Sequence, residues 1–186
     1  MIRPALTLFV LMTVVTGVVY PLAVAGVAQV VFPAQANGSL ITKNGQIVGS
    51  RLIGQHFEGP RYFWSRPSAT GPQPDNGLGS SGSNLGPLNP ALQDAVKARI
   101  AALKAAQPGQ SGAVPADLVT ASASGLDPHI SVAAARYQAH RVAAARGLPV
   151  EEVEALIVRY SSGAQFGVFG DSVVDVLGVN LALDGR

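Results

Sequence analysis

An uncharged apolar segment near the amino terminus is the feature that most constrains this chain. Residues 4–42 contain no Asp, Glu, Lys, Arg or His, and the 28 residues at positions 5–32 are almost continuously apolar. As a helix they would extend roughly 42 Å at ~1.5 Å per residue, whereas the hydrocarbon core of a bilayer is ~30 Å thick. A lone segment in lipid must satisfy its backbone hydrogen bonds internally, which favours a helix. The sequence therefore predicts one transmembrane helix, and Pro21 favours a kink within it.

A cleaved signal peptide is the alternative interpretation of this segment. Arg3 would supply the basic region, residues 5–19 the apolar region, and the Ala-Val-Ala run at residues 23–25 the cleavage motif. However, Val and Phe side chains at residues 27–32 extend the apolar run past the point where a cleavage site turns polar. An uncleaved anchor fits this pattern better.

The charges that flank the segment predict its orientation. Arg3 and the terminal amine lie on one side, whereas Lys43 is the first charged residue on the other. The excess of positive charge favours the cytoplasmic side for the amino terminus. We therefore expect an anchor with a short cytoplasmic amino terminus at residues 1–33 and an extracytoplasmic domain at residues 34–186.

Small residues on the helix predict a packing face. Thr13 and Gly17 form a small-xxx-small pair, and Thr16 adds a hydroxyl group. Such residues let helices approach closely in membranes, so these three are candidates for a partner interface. The alternative is chance, because small residues occur in any membrane span.

Composition limits what the rest of the chain can be. The 154 residues at positions 33–186 suffice for one modest globular domain with its own core. Without Arg3, twelve basic residues remain against 11 acidic ones, so this part is nearly neutral although the sequence pI is about 9.2. A nucleic-acid-binding surface is therefore not expected. The chain has no cysteine, which excludes disulfides and thiolate metal sites.

A hairpin and a long loop are predicted first in the outer domain. The Asn-Gly pair at residues 44–45 lies between short alternating runs in residues 41–48, which predicts a β-hairpin because both residues tolerate a positive φ. Residues 54–90 are rich in Gly, Pro, Ser and Asn and predict a long structured loop. The aromatic run at residues 62–64 favours ordered packing of this loop over disorder.

Helices are predicted next along the chain. The Asn-Pro pair at residues 89–90 matches an N-cap and a first helical residue, and the apolar spacing continues to about residue 106. Ser131 predicts the cap of a second helix, which ends at Gly147. Pro149 predicts the beginning of a third.

The carboxyl-terminal segment predicts a strand. Residues 173–183 are rich in Val and Leu and are interrupted by Gly178, which suggests a bend or bulge. Hairpin, helices and strand together predict the α+β class. The expected fold is thus one amino-terminal transmembrane helix followed by a single soluble α+β domain.

The lysines exclude several catalytic signatures. Lys43, Lys97 and Lys104 follow Thr, Val and Leu respectively, so neither the Gly-Lys of a Walker A loop nor the Asp-Lys-Thr of a P-type pump is present. The residues three positions earlier are Leu, Asp and Ala, which excludes Ser-x-x-Lys. His56, His129 and His140 are the only histidines, and no His-Glu-x-x-His motif is present. No catalytic residue and no metal ligand set is therefore predicted.

A polar loop is a candidate for binding phosphate or carbonyl groups. Residues 80–90 contain Ser81, Gly82, Ser83 and Asn84, whose hydroxyls, amide and flexible backbone suit nucleotide phosphates. The alternative, a hydrogen-bonded turn that leads into the helix cap, carries more weight.

A second segment raises the possibility of an anchored serine hydrolase. Residues 117–131 contain Ser122, Ser124 and His129 together with aspartates. So short a stretch makes triad geometry difficult, and Gly-x-Ser-x-Gly is absent. We expect Asp127 and His129 to fix the turn before Ser131 rather than to bind a metal.

Three residues of the long loop are candidates for a partner-facing patch. Tyr62, Trp64 and Arg66 belong to the residue types that are enriched at the centres of protein interfaces. Internal packing of the loop is an equally good explanation.

Ordered sequence blocks give the chain a family resemblance. The longest block reads Leu-Val-Thr-Ala-Ser-Ala-Ser-Gly-Leu-Asp, and the others lie in the same order as in the family, at residues 36–40, 52–55, 62–63, 66–69, 83–85, 118–127, 141–143 and 145–146. With these blocks the whole chain resembles the KdpC family, the C subunits of Kdp potassium-transporting P-type ATPases. Ser81 departs from the family, which more often has Ser-Gly-Gly-Ser-Asn there.

The resemblance implies a single-span, non-catalytic subunit of a bacterial inner-membrane complex that couples ATP hydrolysis to potassium uptake. It implies no cofactor of its own, since ATP and potassium are handled by the complex, and it implies the potassium-translocating and ATP-hydrolysing subunits and membrane lipid as partners. The family is described as a catalytic chaperone that raises the ATP affinity of the hydrolysing subunit through a transient ternary complex. The expected orientation conflicts with this description, because ATP is cytoplasmic. We therefore expect mainly an assembly and stabilising role.

Overall fold

The computed structural model describes residues 2–185, which form two compact units. One unit ends at Ser50 and the other begins at Arg51. The first contains helices α1 (Ile2–Val14), α2 (Tyr20–Val31) and α3 (Pro33–Ala36) and strands β1 (Leu40–Lys43) and β2 (Gln46–Ser50). The boundary predicted from the sequence, between residues 33 and 34, divides the anchor from the outer domain and stays a prediction.

The predicted membrane helix is present. Helices α1 and α2 are continuous through a π-turn at Val15–Val19, giving a 30-residue helix, Ile2–Val31, of mean hydropathy 2.2. None of its most apolar 18-residue window is buried inside the protein, so this helix is not the core helix of a globular domain. An apolar helix of this length with every face exposed is typical of a lipid-facing span.

The π-turn lies directly ahead of Pro21. Tyr20 donates its N–H to the carbonyl of Val15, five residues earlier, instead of the usual four. Pro21 has no N–H to give to the carbonyl of Gly17, so the regular ladder cannot continue there. Nearby, the Thr13 and Thr16 hydroxyls donate to carbonyls one turn earlier at 2.8 and 2.7 Å.

The predicted hairpin is confirmed. Strands β1 and β2 pair antiparallel, with Lys43 opposite Gln46 across the Asn44-Gly45 turn. Asn44 has φ of 52° and Gly45 has φ of 77°, the left-handed values that a two-residue hairpin turn requires.

The second unit combines a long irregular segment with helices and a small sheet. Residues 51–89 contain neither helix nor strand, as predicted. The elements that follow are α4 (Pro90–Ala106), a 3-10 turn (Ala116–Leu118), β3 (His129–Ser131), α5 (Val132–Arg146), α6 (Val150–Arg159), β4 (Ser161–Ser162), β5 (Val173–Asp175) and α7 (Val176–Leu183). The sheet is antiparallel in the order β3-β5-β4, so the unit is α+β.

The predicted helix starts are confirmed by their caps. The Asn89 side chain accepts a hydrogen bond from the Ala91 N–H at 3.0 Å, and the Ser131 hydroxyl accepts one from the Ala134 N–H at 3.0 Å. Each cap satisfies one of the N–H groups that a helix leaves unpaired in its first turn. Gly147 ends α5 in the left-handed conformation, with φ of 68°.

The strand predicted for residues 173–183 is wrong beyond its first three residues. Strand β5 ends at Asp175, and α7 begins at Val176. The Asp175 carboxylate caps this helix by accepting the Gly178 N–H at 2.9 Å. A β-carbon on Gly178 would lie 2.7 Å from the Tyr160 ring, so this glycine allows close packing rather than a bulge. A Val- and Leu-rich run is ambiguous because a buried helix has the same composition.

One core holds the second unit together. Helices α5, α6 and α7, strands β3 and β5, and Phe63 of the long segment supply side chains that are essentially fully buried, which are Phe63, Ile130, Val142, Val153, Ile157, Val174, Val179 and Leu183. Phe63 therefore fixes the irregular segment on the helices, which gives the loop a defined conformation.

Candidate functional site

Two buried side-chain amides hold the aromatic run of the long segment. Asn180 accepts the Phe63 N–H at 2.9 Å and donates to the Phe63 carbonyl at 3.0 Å. Gln138 makes the same pair of bonds with Trp64, at 2.8 and 3.2 Å. Asn180 and Gln138 are buried, so these two pairs, called here the amide clasps, replace the strand partner that this segment lacks.

Arg141 extends the second clasp. Its guanidinium donates to Gln138 Oε1 at 2.7 Å and to the Pro60 carbonyl at 2.8 Å, and it lies 4.5 Å from the centre of the Trp64 ring. Burial lowers the pKa of Arg141 to about 10, which leaves the group charged at neutral pH. A charged, hydrogen-bonded guanidinium thus fixes the face of the Trp64 ring.

Tyr62 contacts a second arginine of α5 and a carboxylate that follows α7. The Arg146 guanidinium lies 5.1 Å from the centre of its ring, and Arg146 also pairs with Asp184 at 2.8 Å. The Tyr62 hydroxyl donates to the same carboxylate at 3.4 Å. Tyr62 is half-buried.

A groove of about 530 Å³ lies beside Trp64 and is lined by the long segment, α4 and the 3-10 turn. Its lining is mainly apolar, with Phe57, Trp64, Leu103 and Leu118 among the contributors. Arg66 and Arg99 supply the positive charges. The Arg66 guanidinium pairs with Asp127 at 3.0 Å, and the Arg99 guanidinium donates to the Val119 carbonyl at 2.8 Å.

Burial shifts the pKa of two ionisable groups near this groove. Burial lowers the pKa of Arg99. Burial also raises the pKa of the Asp75 carboxyl, and the charge of His56 opposes that effect. Asp75 Oδ2 is buried without a hydrogen bond in the part of the chain that the structure describes. Both shifts follow from the cost of placing a charge where water is excluded.

The polar loop at residues 81–84 contacts the segment proposed for a hydrolase. The Ser81 N–H donates to the Ser124 carbonyl at 2.9 Å, and the Gly82 backbone packs so closely that a β-carbon there would lie 2.8 Å from the Ala123 carbonyl oxygen. Ser83 and Asn84 are exposed. Of the four nucleotide-site candidates, two are therefore engaged in backbone packing and two face solvent.

The hydrolase candidates do not meet as a catalytic set. Ser122 is 4% exposed and accepts the Gly125 N–H at 2.9 Å, and Ser124 accepts the Leu126 N–H at 3.1 Å. Within residues 2–185 neither hydroxyl is hydrogen-bonded to His129, whose Nδ1 lies 3.8 Å from Asp127 Oδ1. Asp127 accepts the His129 N–H at 3.0 Å, which is the turn-fixing role expected from the sequence.

The partner-interface candidates belong to both units. Thr13, Thr16 and Gly17 lie on the exposed membrane helix of the first. Tyr62, Trp64 and Arg66 are half-buried in the second, and Trp64 and Arg66 line the groove. Their role toward partners stays a prediction.

Sequence reasoning missed the residues that position the aromatic run. Gln138, Arg141 and Asn180 are buried polar side chains on otherwise apolar helix faces. A polar residue on an apolar helix face can be recognised in the sequence, and it predicts a defined hydrogen-bond partner because a buried polar group needs one.

Comparison with known proteins decides the family. The model of the family described as "K+-transporting ATPase, c chain" matches residues 2–185. The chain belongs to the KdpC family. A protein named Potassium-transporting ATPase KdpC subunit from Janthinobacterium sp. (strain Marseille) is 62% identical over 184 residues, covering 99% of this chain and 97% of that relative.

Two further KdpC relatives cover the chain equally well. The protein of the same name from Polaromonas naphthalenivorans (strain CJ2) is 63% identical over 183 residues, covering 98% of this chain and 93% of the relative. The one from Dechloromonas aromatica (strain RCB) is 62% identical over 184 residues, covering 99% and 96%. The likeness thus includes both the membrane helix and the second unit.

Proposed function

We propose that this chain is the accessory, non-catalytic subunit of a high-affinity ATP-driven potassium uptake complex, which it assembles and stabilises. The observation that carries the proposal is the KdpC family match across residues 2–185, with relatives that are named as potassium-transporting ATPase subunits. Its location would be the bacterial inner membrane. It would be held there by its single span.

The absence of a catalytic set supports the non-catalytic role. Neither Ser122 nor Ser124 is bonded to His129 in the described residues 2–185, and both hydroxyls serve local turns. The lysines lack the sequence contexts of phosphate-binding and phosphorylated loops. ATP hydrolysis would therefore belong to another subunit of the complex.

The partners would be the potassium-translocating and ATP-hydrolysing subunits. The face made by Thr13, Thr16 and Gly17 would pack on their membrane helices, because small residues permit close helix contact. Tyr62, Trp64 and Arg66 would contribute to a contact of the outer domain, since all three keep part of their surface exposed.

A direct role with nucleotide is the second candidate. It would use Ser81, Gly82, Ser83 and Asn84 to raise the ATP affinity of the hydrolysing subunit in a transient ternary complex. The charge pattern around the span instead favours an extracytoplasmic second unit, where ATP is not supplied. In addition, the Ser81 N–H is already bonded to Ser124, which removes one phosphate donor. We therefore favour assembly over nucleotide binding.

Deleting residues 1–33 should release the protein from the complex, because it removes the one helix of residues 2–185 that is long and apolar enough to span a membrane. The measurement is recovery of the other subunits by affinity purification of a carboxyl-terminally tagged chain.

Gly17→Leu should reduce recovery while leaving the anchor in place. Gly26→Leu is the matched control, since neither glycine has a neighbouring atom within 4 Å. Full assembly after the deletion would contradict the proposal.

A single cysteine at Ser111 should react with a membrane-impermeant reagent in intact cells. Ser111 is exposed in the second unit, and the natural chain has no cysteine to compete. Ile2→Cys, on the other side of the predicted span, should react only after the cells are permeabilised. The reverse pattern would place the second unit with cytoplasmic ATP and would favour the nucleotide role.

A further inference from the structure

The loop between β4 and β5 carries an unusual amount of exposed apolar surface. Phe166, Val168 and Phe169 are 93%, 77% and 68% exposed, and they lie in or beside one short turn of the segment 164–170, called here the apolar tip. Residues 161–170 contain no ionisable side chain. Large apolar side chains gathered on one projection, without charges to keep it in water, mark a binding surface.

Most of the backbone N–H groups of the apolar tip are paired within the tip. Gln165 and Phe169 exchange two hydrogen bonds, at 2.8 and 2.9 Å, and form an isolated bridge. The Gly167 and Val168 N–H groups donate to the Ala164 and Gln165 carbonyls at 3.1 and 3.2 Å. Four N–H groups of the tip are therefore already paired before any partner arrives.

These two properties together favour lipid as the occupant. A protein partner supplies donors and acceptors, and the residues that carry most of the binding energy in protein interfaces are enriched in Trp, Tyr and Arg, none of which occurs in the tip. A bilayer offers no hydrogen bonds below its headgroups, so a segment that enters it must pair its own backbone groups. Phenylalanine and valine are side chains that gain from leaving water there.

The anchor limits how far the second unit can move from a membrane. Nineteen residues, 32–50, separate the end of α2 from the second unit, and even fully extended they reach at most about 65 Å at ~3.4 Å per residue. Tethering at that length gives the tip a high effective concentration at the bilayer. We propose that the apolar tip inserts Phe166, Val168 and Phe169 into the interfacial layer of the bilayer, as a second membrane contact of this chain. The inference rests on membrane anchoring and not on a role in potassium transport.

Fluorescence of a labelled tip tests the proposal directly. The full-length chain with Val168→Cys carries the environment-sensitive dye NBD and is reconstituted alone into phosphatidylcholine vesicles. The absence of natural cysteines makes the label unique. We expect a blue-shifted emission and strong quenching by doxyl-labelled phosphatidylcholine. Leu78→Cys is the matched control, because Leu78 is a 99% exposed apolar residue outside the tip, and its label should report water.

Three outcomes would overturn the proposal. Adding Phe166→Ser and Phe169→Ser to the Val168→Cys chain should abolish the quenching, and if quenching persists the dye alone drives insertion and the proposal is overturned. Equal, water-like emission at positions 168 and 78 also overturns it. So does a blue shift that appears only when the other subunits are added and that doxyl lipids do not quench, because the occupant is then a protein. These results leave the assembly proposal intact, so the two can fail separately.

Discussion

Gly125→Ala is expected to destabilise the second unit by roughly 3 kcal/mol or more, as the sum of backbone strain and overpacking. Gly125 has φ of 68°, a conformation that side chains with a β-carbon rarely adopt. A β-carbon there would also lie 2.5 Å from the Ser81 carbonyl oxygen and 2.6 Å from Thr70 Cγ2. The backbone oxygen cannot move away without breaking the contact between the two loops, so relaxation is limited.

Gly147→Ala provides a matched control for this substitution. Gly147 has the same φ of 68°, but no atom lies within 4 Å of the position that a β-carbon would take. Its expected cost is only the backbone strain, about 1 kcal/mol. The difference between the two variants therefore isolates the steric term.

Denaturant unfolding in detergent micelles, followed by the fluorescence of Trp64, measures both variants. Trp64 is the only tryptophan of the chain and lies in the second unit. Equal losses of stability in Gly125→Ala and Gly147→Ala would contradict the close approach of residues 81 and 125.

The contact at Gly125 also explains which part of the site the sequence could predict. From the sequence, residues 80–90 and 117–131 are two separate polar, glycine-containing segments. The structure brings them together, since the Ser80 hydroxyl and the Ser81 N–H both bond the Ser124 carbonyl. Contact between segments that lie 44 residues apart leaves no periodicity in either one. The sequence therefore offers a ligand or a local turn for each segment alone and does not predict their contact.

The sequence predicted the elements whose stabilising interactions lie between residues close together in the chain. The Asn44-Gly45 turn and the caps at Asn89 and Ser131 depend on residues within four positions of each other, and all three are confirmed. The membrane helix is likewise a property of one continuous segment.

Helix α7 shows where local reasoning fails. Its residues are rich in Val and Leu and suit either a strand or a buried helix. The helix is favoured over the strand by the Asp175 cap and by the close contact between Gly178 and the Tyr160 ring. The first is a local signal that was overlooked, whereas the second joins parts of the chain that only the fold brings together.

Asn180→Asp is expected to destabilise the second unit by about 3–5 kcal/mol at neutral pH, the cost typical of an uncompensated buried charge. The substitution hardly changes the size of the side chain. It keeps an oxygen that accepts the Phe63 N–H, but it replaces the amide that donates to the Phe63 carbonyl at 3.0 Å with a second oxygen. A buried carboxylate would then face a carbonyl oxygen without a proton between them.

The loss in Asn180→Asp should shrink on acidification. Burial and the facing carbonyl would raise the pKa of the new carboxyl in the folded protein above its unfolded value of ~3.9. Below the unfolded pKa the group is protonated in both states and can donate to the Phe63 carbonyl, so the clasp is restored. As the pH rises through the folded pKa, ionisation removes that bond and stability falls. The measured quantity is the difference in unfolding free energy from the natural chain at each pH.

Asn76→Asp is the matched control, because Asn76 makes the same two kinds of bond in an exposed turn. It accepts the Leu78 N–H at 3.1 Å and donates to the Gly71 carbonyl at 2.7 Å. Water can solvate a carboxylate there, so the expected loss is within about 1 kcal/mol. If Asn180→Asp costs no more than Asn76→Asp, or if its cost does not fall in acid, then the buried amide clasp does not hold Phe63 in place. The groove beside Trp64 would then lack the rigid support that a partner-binding surface on this unit requires.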